Sequence, residues 1–287
     1  RPTDALRSCD QALRLNPRYG DAHINRGNAL VGLKRFTEAV SAYTKALEIL
    51  PNREFLLGTL LHNKMRICDW TDLSSSLSRL EENISRGIRA SNPFPVLGLT
   101  DNPEIQRQAA RIFVNARYAQ ITPKPLPFKQ GANQKIRIGY YSADFRAHAV
   151  SYLIADLIKT HNRDKFEVIG FSFSPRTNDA TQLRILSHFD KIYDITPLSD
   201  KNAAMLSRKA GIDIAIDLGG HTQHARSGLF AERCAPVQVN YLGFPGTLGA
   251  SYIDYIIADK VVIPTTDQKS FSEKIVYLPH SFHACDS

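Results

Sequence analysis

Two prolines near the amino end, Pro17 and Pro51, stand 34 residues apart, and each closes a run of helical periodicity. Between them lies "GDAHINRGNALVGLKRFTEAVSAYTKALEILPN". Counting back from Pro51, small residues fall at Gly27, Ala39 and Ala46, and Tyr43 is placed to fill the gap between them. Ala5 and Ala12 hold the phases of Ala39 and Ala46 one period earlier. Two antiparallel helices can approach closely only where side chains are small. A repeated pair of this kind buries its apolar face only by stacking on its neighbours.

That period and those small-residue positions are the ones of the tetratricopeptide repeat. Residues 1–52 are therefore expected to hold the end of one repeat and one complete repeat. Arg26 stands where a bulky apolar residue is usual, so the concave face is expected to be locally charged.

Residues 53–120 keep helical spacing but lose the repeat, and form a helical extension. Asp72 or Ser74 can cap a helix there. "RASNPFPVLGL" is expected to interrupt the helices at its two prolines. "DNPEIQRQAARIFVNARYAQ" restarts them, with Asp101 or Asn102 as N-cap and Pro103 in the first turn. The stretch 121–134, with three prolines, two lysines and a glycine, is an extended linker.

From residue 135 the period changes. Strand-like runs occupy 135–141, 166–174, 191–195, 212–218, 237–243 and 255–263, alternating with helical runs at about 149–160, 180–189 and 200–210. Alternation with strands apolar on both faces predicts a parallel sheet covered on both sides. The expected architecture is α plus α/β: helical repeats, then a Rossmann-like lobe over 135–287. Ligands of such sheets bind at the carboxyl ends of the strands.

Three strand ends carry unusual residues. "SADFRAH" brings Ser142, Asp144, Arg146 and His148 to a turn that needs only a glycine and a cap. A neutral imidazole at the following helix start can accept a proton or a hydrogen bond. "DLGGHTQHAR" offers Gly219 and Gly220, which let backbone approach a ligand, followed by His221, Thr222 and Arg226. "LGFPGTLGA" places Gly246, Thr247 and Gly249 in a glycine-rich turn that can offer N–H groups to phosphate or sugar oxygens. This loop is neither a Walker A motif nor GxGxxG. His221 and His224 have metal-like spacing only on a helix, and no third ligand stands nearby, so no metal site is expected.

Composition narrows the function classes. The formal net charge of +8 admits an anionic partner, but the basic residues are scattered, without the block or aromatic-interleaved stripe of a nucleic-acid binder. No apolar run approaches the roughly 18 residues of a membrane helix. Cys9, Cys68, Cys234 and Cys285 form no CxxC pair and suit neither a disulfide framework nor a zinc site. A reducing, cytoplasmic setting without a signal peptide is the expectation. The chain opens at Arg1 inside a helical pattern and ends just after another strand-like run, which suggests a piece of a longer protein.

"IRIGYYSADFRAHAVSYL", "DKFEVIGFSFSP", "IDLGGHTQHARSGLFAERCAPVQVNYLGFPGTLGA", "DYIIAD" and "YLPHSF" resemble the amino-terminal catalytic lobe of the O-linked N-acetylglucosamine transferases, glycosyltransferase family 41. "APVQVNYLGFPGTLG" is the most specific part, the repeat upstream is the family's own architecture, and "ICDWTDL" is similar to bacterial members. The resemblance implies one half of a GT-B fold. It implies an inverting, metal-independent transfer of N-acetylglucosamine from UDP-GlcNAc to Ser or Thr of proteins presented by the repeats. No cofactor beyond the nucleotide sugar is implied, and neither nucleic acid nor membrane is an implied partner. By the same resemblance His148 matches the family's "DF…H" histidine beside the reacting sugar, and His221 and Thr222 match its "GHT" turn. Asp144 holds the first turn, and Pro245, Gly246, Thr247 and Gly249 match the loop near donor sugar and acceptor. Ala149 replaces the family's usual proline. The family's nucleotide contacts lie in a second lobe that these residues do not contain, so the piece alone is expected to be inactive. Two other readings stand beside this one: a Spindly-type protein O-fucosyltransferase using GDP-fucose, and a non-catalytic repeat-based scaffold.

Overall fold

The computed structural model describes residues 1–121, 126–127 and 135–285. The expected linker, 121–134, lies outside the described residues apart from Ile121, Leu126 and Pro127. The chain divides into two compact units, Arg1–Phe113 and Val114–Ser287.

The first unit is helical. α1 (Pro2–Leu15), α2 (Gly20–Gly32), α3 (Phe36–Ile49) and α4 (Leu56–Arg66) are successive antiparallel helices of the repeat region. The small residues do what their spacing predicts: Ala39, Ala46 and Tyr43 are almost fully buried. A Cβ on Gly27 would stand 2.5 Å from the Tyr43 ring, so only glycine lets α2 and α3 meet there. The Tyr43 hydroxyl donates to Asn28 Oδ1 at 2.8 Å, which fixes the ring in place. Arg26 is neutralised by α1, its Nε standing 2.8 Å from Asp10 Oδ1.

Gly27→Ala is expected to destabilise this unit. Forcing a methyl against a ring that is packed and hydrogen-bonded costs about 1–3 kcal/mol, and the better helix propensity of alanine returns at most about 1 kcal/mol. Denaturant unfolding followed by helical circular dichroism measures the difference. An unchanged midpoint would show that the ring can move aside.

α5 (Leu73–Ser85) starts after Asp72, which takes a left-handed backbone, φ 54°, and makes no side-chain cap. The segment "RASNPFPVLGL" does more than interrupt: it forms α6 (Pro93–Leu99), because Pro93 sits at the first helical position, where its missing N–H is no loss. α7 (Pro103–Tyr118) opens on Asn102, whose Oδ1 accepts from the amides of Glu104 (3.1 Å) and Ile105 (3.4 Å). Leu57, Leu61, Leu80, Ile84, Val96 and Ile105 form the core under these helices. The division between the units falls within α7, five residues short of its end.

The second unit is a parallel sheet. β1 (Ile136–Ser142), β2 (Phe166–Ser172), β3 (Lys191–Asp194), β4 (Ile214–Asp217), β5 (Val237–Asn240), β6 (Tyr255–Ala258) and β7 (Lys274–Tyr277) pair in the order β3-β2-β1-β4-β5-β6-β7. α8 (Ala149–Thr160), α9 (Ala180–Ser187) and α10 (Asp200–Lys209) carry the crossovers between β1, β2, β3 and β4. Each pairing is parallel. One core layer joins Ile138, Tyr140, Val168, Ile216 and Val239 of the sheet to Val150, Ile154 and Ile158 of α8. The opposite face carries Tyr141, stacked on Phe171 and bonded through its hydroxyl to Ser207 of α10. Both faces are covered, as a parallel sheet requires. The chain winds outward from β1 to β3, returns to β4 beside β1, and winds the other way. The gap between the carboxyl ends of β1 and β4 is thus the topological switch point, where doubly wound sheets bind ligands.

Candidate functional site

The turn after β1 stands on one side of the switch point. Its polar side chains hold its shape. Ser142 Oγ accepts from the Asp144 amide (2.9 Å), and Ser174 Oγ accepts from the Phe145 amide (2.8 Å). Ser151 donates to the Asp144 carbonyl at 2.6 Å, and Gln182 of α9 donates to the Phe145 carbonyl at 2.9 Å. Asp144, buried to 8 % exposure, pairs with Arg146 at 3.0 Å and lies 3.8 Å from His148 Nδ1 through its other oxygen. His148 is the N-cap of α8: Nδ1 accepts from the Val150 amide at 3.3 Å. Its side chain keeps 39 % exposure, so part of the ring is open.

The turn after β4 stands on the other side. Asp217 Oδ1 accepts from the amides of Gly219 (2.9 Å) and Gly220 (3.1 Å). Burial pushes this carboxyl up to about 6. Gly220 takes φ +56°, and a Cβ there would stand 2.6 Å from Phe244, so glycine is required on both counts. Thr222 turns its hydroxyl back to the Gly219 carbonyl at 2.7 Å. His221 Nε2 donates to the Leu248 carbonyl at 2.9 Å, and its ring meets Phe244 edge-on. Burial pushes His221 down to about 4, so it is neutral at pH 7. Arg226, expected in the crevice, is instead engaged by Asp200 and by the carbonyls of Ile195 and Leu198. The residues after it form a five-residue helix, α11 (Ser227–Ala231).

The loop after β5 packs directly on the β4 turn. A Cβ on Gly243 would stand 2.1 Å from the Leu218 carbonyl, so the two backbones touch. Pro245 is exposed, while Gly246 and Thr247 are buried and Gly249 is half-buried with φ +63°. The Thr247 hydroxyl points inward and donates to Glu273 Oε2 at 2.6 Å, so its proton is committed within the protein. Glu273 Oε1 accepts from the Leu248 amide at 2.6 Å, and Ser272 donates to Oε2 at 3.0 Å. Burial raises the Glu273 carboxyl, opposed by these hydrogen bonds.

The structure therefore ties His221, Thr222 and the Pro245–Gly249 loop into one block. It places His148 and Asp144 on the neighbouring turn, braced toward β2 and α9. Two residues the sequence reading passed over organise that block. Asp217 ends an apolar strand run, a signal that was visible. Glu273, in "SFSEK", looks like any surface acid. Among the described residues no group of three His, Cys, Asp or Glu side chains is placed to hold a metal ion. Nor, among those residues, is any helix long and apolar enough to cross a membrane.

Comparison with known proteins gives this geometry a family. Residues 67–287 match the family "Glycosyl transferase family 41", and residues 20–53 match the tetratricopeptide repeat. A probable UDP-N-acetylglucosamine–peptide N-acetylglucosaminyltransferase from Arabidopsis thaliana, SEC, is 34 % identical over 79 % of this chain and 25 % of its own length. The corresponding enzyme from Caenorhabditis elegans is 32 % identical over 77 % of the chain and 20 % of its own length. A SPINDLY relative from Hordeum vulgare is 37 % identical over 58 % of the chain and 18 % of its own length. Among solved structures, a mutant of the Thermobaculum terrenum O-GlcNAc transferase superposes with a TM-score of 0.74 at 25 % identity, over 98 % of this chain and 55 % of that one. The chain spans a quarter or less of the length of these sequence relatives. With a helical repeat region, a doubly wound lobe and a match over residues 67–287, the chain belongs to glycosyltransferase family 41.

Proposed function

We propose that this chain is the repeat-bearing, amino-terminal catalytic part of an inverting protein O-glycosyltransferase that moves N-acetylglucosamine from UDP-GlcNAc to Ser or Thr hydroxyls. The observation that carries the reading is the switch point of a family 41 sheet, flanked by two turns bearing His148 and His221. The names of the relatives supply the donor and the acceptor class. The repeats present the protein acceptor.

The geometry divides the roles. With Nδ1 accepting from Val150, neutral His148 keeps its proton on Nε2 and offers the crevice a donor. For Nε2 to accept the proton of an attacking hydroxyl, the ring's own proton must move to Nδ1, which gives up the Val150 bond and requires the ring to close the 3.8 Å to Asp144 Oδ2. Asp144 is thus the residue that lets His148 act as base or orienting group. His221 spends its Nε2–H on Leu248, so its part in catalysis is to hold the β4 turn and the glycine loop in register. Thr222 closes the β4 turn on Gly219; Gly246, Thr247 and Gly249 shape the loop, and Pro245 is its exposed edge toward substrate.

The test is peptide glycosylation by the full-length protein with UDP-GlcNAc beside GDP-fucose, with and without EDTA. Transfer from UDP-GlcNAc, unaffected by EDTA, is the expected result. Residues 1–287 alone are expected to be silent, because leaving-group charge must be stabilised for transfer and the described turns hold no diphosphate clamp. Transfer from GDP-fucose alone would replace the donor, and no transfer from either would favour the scaffold reading.

A further inference from the structure

β4 and β5 end side by side, with Asp217 and Asn240 as partners in the parallel register. Their side chains share the sheet face opposite Ile216 and Val239, and they are only 2 % and 0 % exposed. The partners of Asn240 orient its amide: Nδ2 donates to the carbonyls of Phe244 (3.0 Å) and Gly246 (3.4 Å), so Oδ1 is an acceptor and nothing else. That oxygen receives no donor from the described residues, and neither does Asp217 Oδ2. Two acceptors without donors, adjacent and buried, are costly, and more so if one carries a charge. A single proton on Asp217 Oδ2 turns one acceptor into a donor and satisfies both atoms. The titratable groups acting around Asp217 are Tyr118 of α7, Cys234 ahead of β5 and Tyr252 ahead of β6. All three are raised by burial, and a cation acting on these surroundings among the described residues is Arg117, which lowers Tyr118 and His221.

We propose that in mildly acidic solution Asp217 is a neutral carboxylic acid that donates to Asn240 Oδ1, and that in this form the bond positions the Gly219–Thr222 turn against the loop after β5. The proton is inferred from register and hydrogen-bond count. Only the turn's importance to catalysis rests on the glycosyltransferase reading.

The pH dependence has a definite sign. The carboxyl titrates at 3.8 when unperturbed and at about 6 in the folded chain, so the folded state holds the proton more tightly. The stabilisation is complete below pH 4 and is lost as pH rises through 6. Asp217→Asn imitates the neutral acid: its oxygen keeps both glycine amides and its NH2 reaches Asn240. In the full-length protein, isotope-edited infrared spectroscopy at pH 5 is expected to show a protonated-carboxyl stretch that Asp217→Asn removes and Asn240→Ala shifts. Hydrogen exchange of the 214–226 segment at pH 8 is expected to be slower in Asp217→Asn than in the parent, by up to about 10²-fold, and equal at pH 5. Absence of the band at pH 5, or faster exchange in Asp217→Asn at both pH values, would overturn the proposal and mark Asp217 as a buried anion. Loss of sugar transfer with the band intact would count against the enzyme reading alone.

Discussion

His148→Ala in the full-length enzyme is expected to lower the rate of sugar transfer by about 10²-fold or more, with folding nearly intact. Two roles of His148 have to be separated. As N-cap of α8 it accepts from the Val150 amide, and loss of a cap costs about 1 kcal/mol of stability. On the proposed function its imidazole at the switch point orients or deprotonates the acceptor, and a 10²-fold rate loss corresponds to about 2.7 kcal/mol in the barrier. Only the second appears in kcat. His148→Ser separates them, because serine caps a helix well but supplies no base: stability should return while the rate stays low. Asp144→Asn tests the tautomer. If Asp144 stabilises Nδ1–H while Nε2 takes the hydroxyl proton, the variant should lose rate although His148 is still present. Near-normal transfer by His148→Ala would show that the turn after β1 shapes the crevice without taking part in the chemistry.

The reason this residue stood out in the sequence is physical. A strand-to-helix turn needs a cap, yet "SADFRAH" has several polar side chains, and the structure accounts for most of them as braces. Ser142 and Ser151 supply the partners that the Asp144 amide and carbonyl lack in the irregular turn, and the Asp144 side chain pairs with Arg146. The Rossmann-like lobe was legible because β1 and β2 are buried on both faces from their third residue on, so their apolar runs are nearly continuous. The repeat was legible because Gly27 and Tyr43 meet through a fixed helical spacing. Local pattern fails where a role depends on a distant partner. α11 is five buried residues within "HARSGLFAERC", too short to show a period. Glu273 binds Thr247 across 26 positions of sequence, and nothing in its neighbourhood sets it apart. His221 adds a role that its neighbourhood does not show: a histidine after two glycines suggests direct chemistry, and its Nε2–H also joins two turns.

Glu273→Ala is expected to be the most disruptive single substitution in the block. Its carboxylate, 5 % exposed, receives the Thr247 hydroxyl, the Ser272 hydroxyl and the Leu248 amide. Truncation leaves three donors facing a cavity. A buried donor without an acceptor costs about 1–3 kcal/mol, and the three are coupled, so the total is several kcal/mol and less than their sum. Thr247 also accepts from the amides of Gly249 and Ser272, so a freed hydroxyl removes the reference point of the whole turn. The loop then loses its hold on His221, since the Leu248 carbonyl that receives the His221 proton sits beside the amide released by Glu273. Thermal unfolding should drop, and hydrogen exchange should rise over both 242–250 and 217–226. Glu273→Gln should be milder. Its oxygen can keep the Leu248 amide, and Thr247 can turn its proton to Ser272 Oγ, 3.1 Å away. If Glu273→Ala loosens 242–250 and leaves the exchange of 217–226 unchanged, the two turns are independent and His221 does not carry order from one to the other.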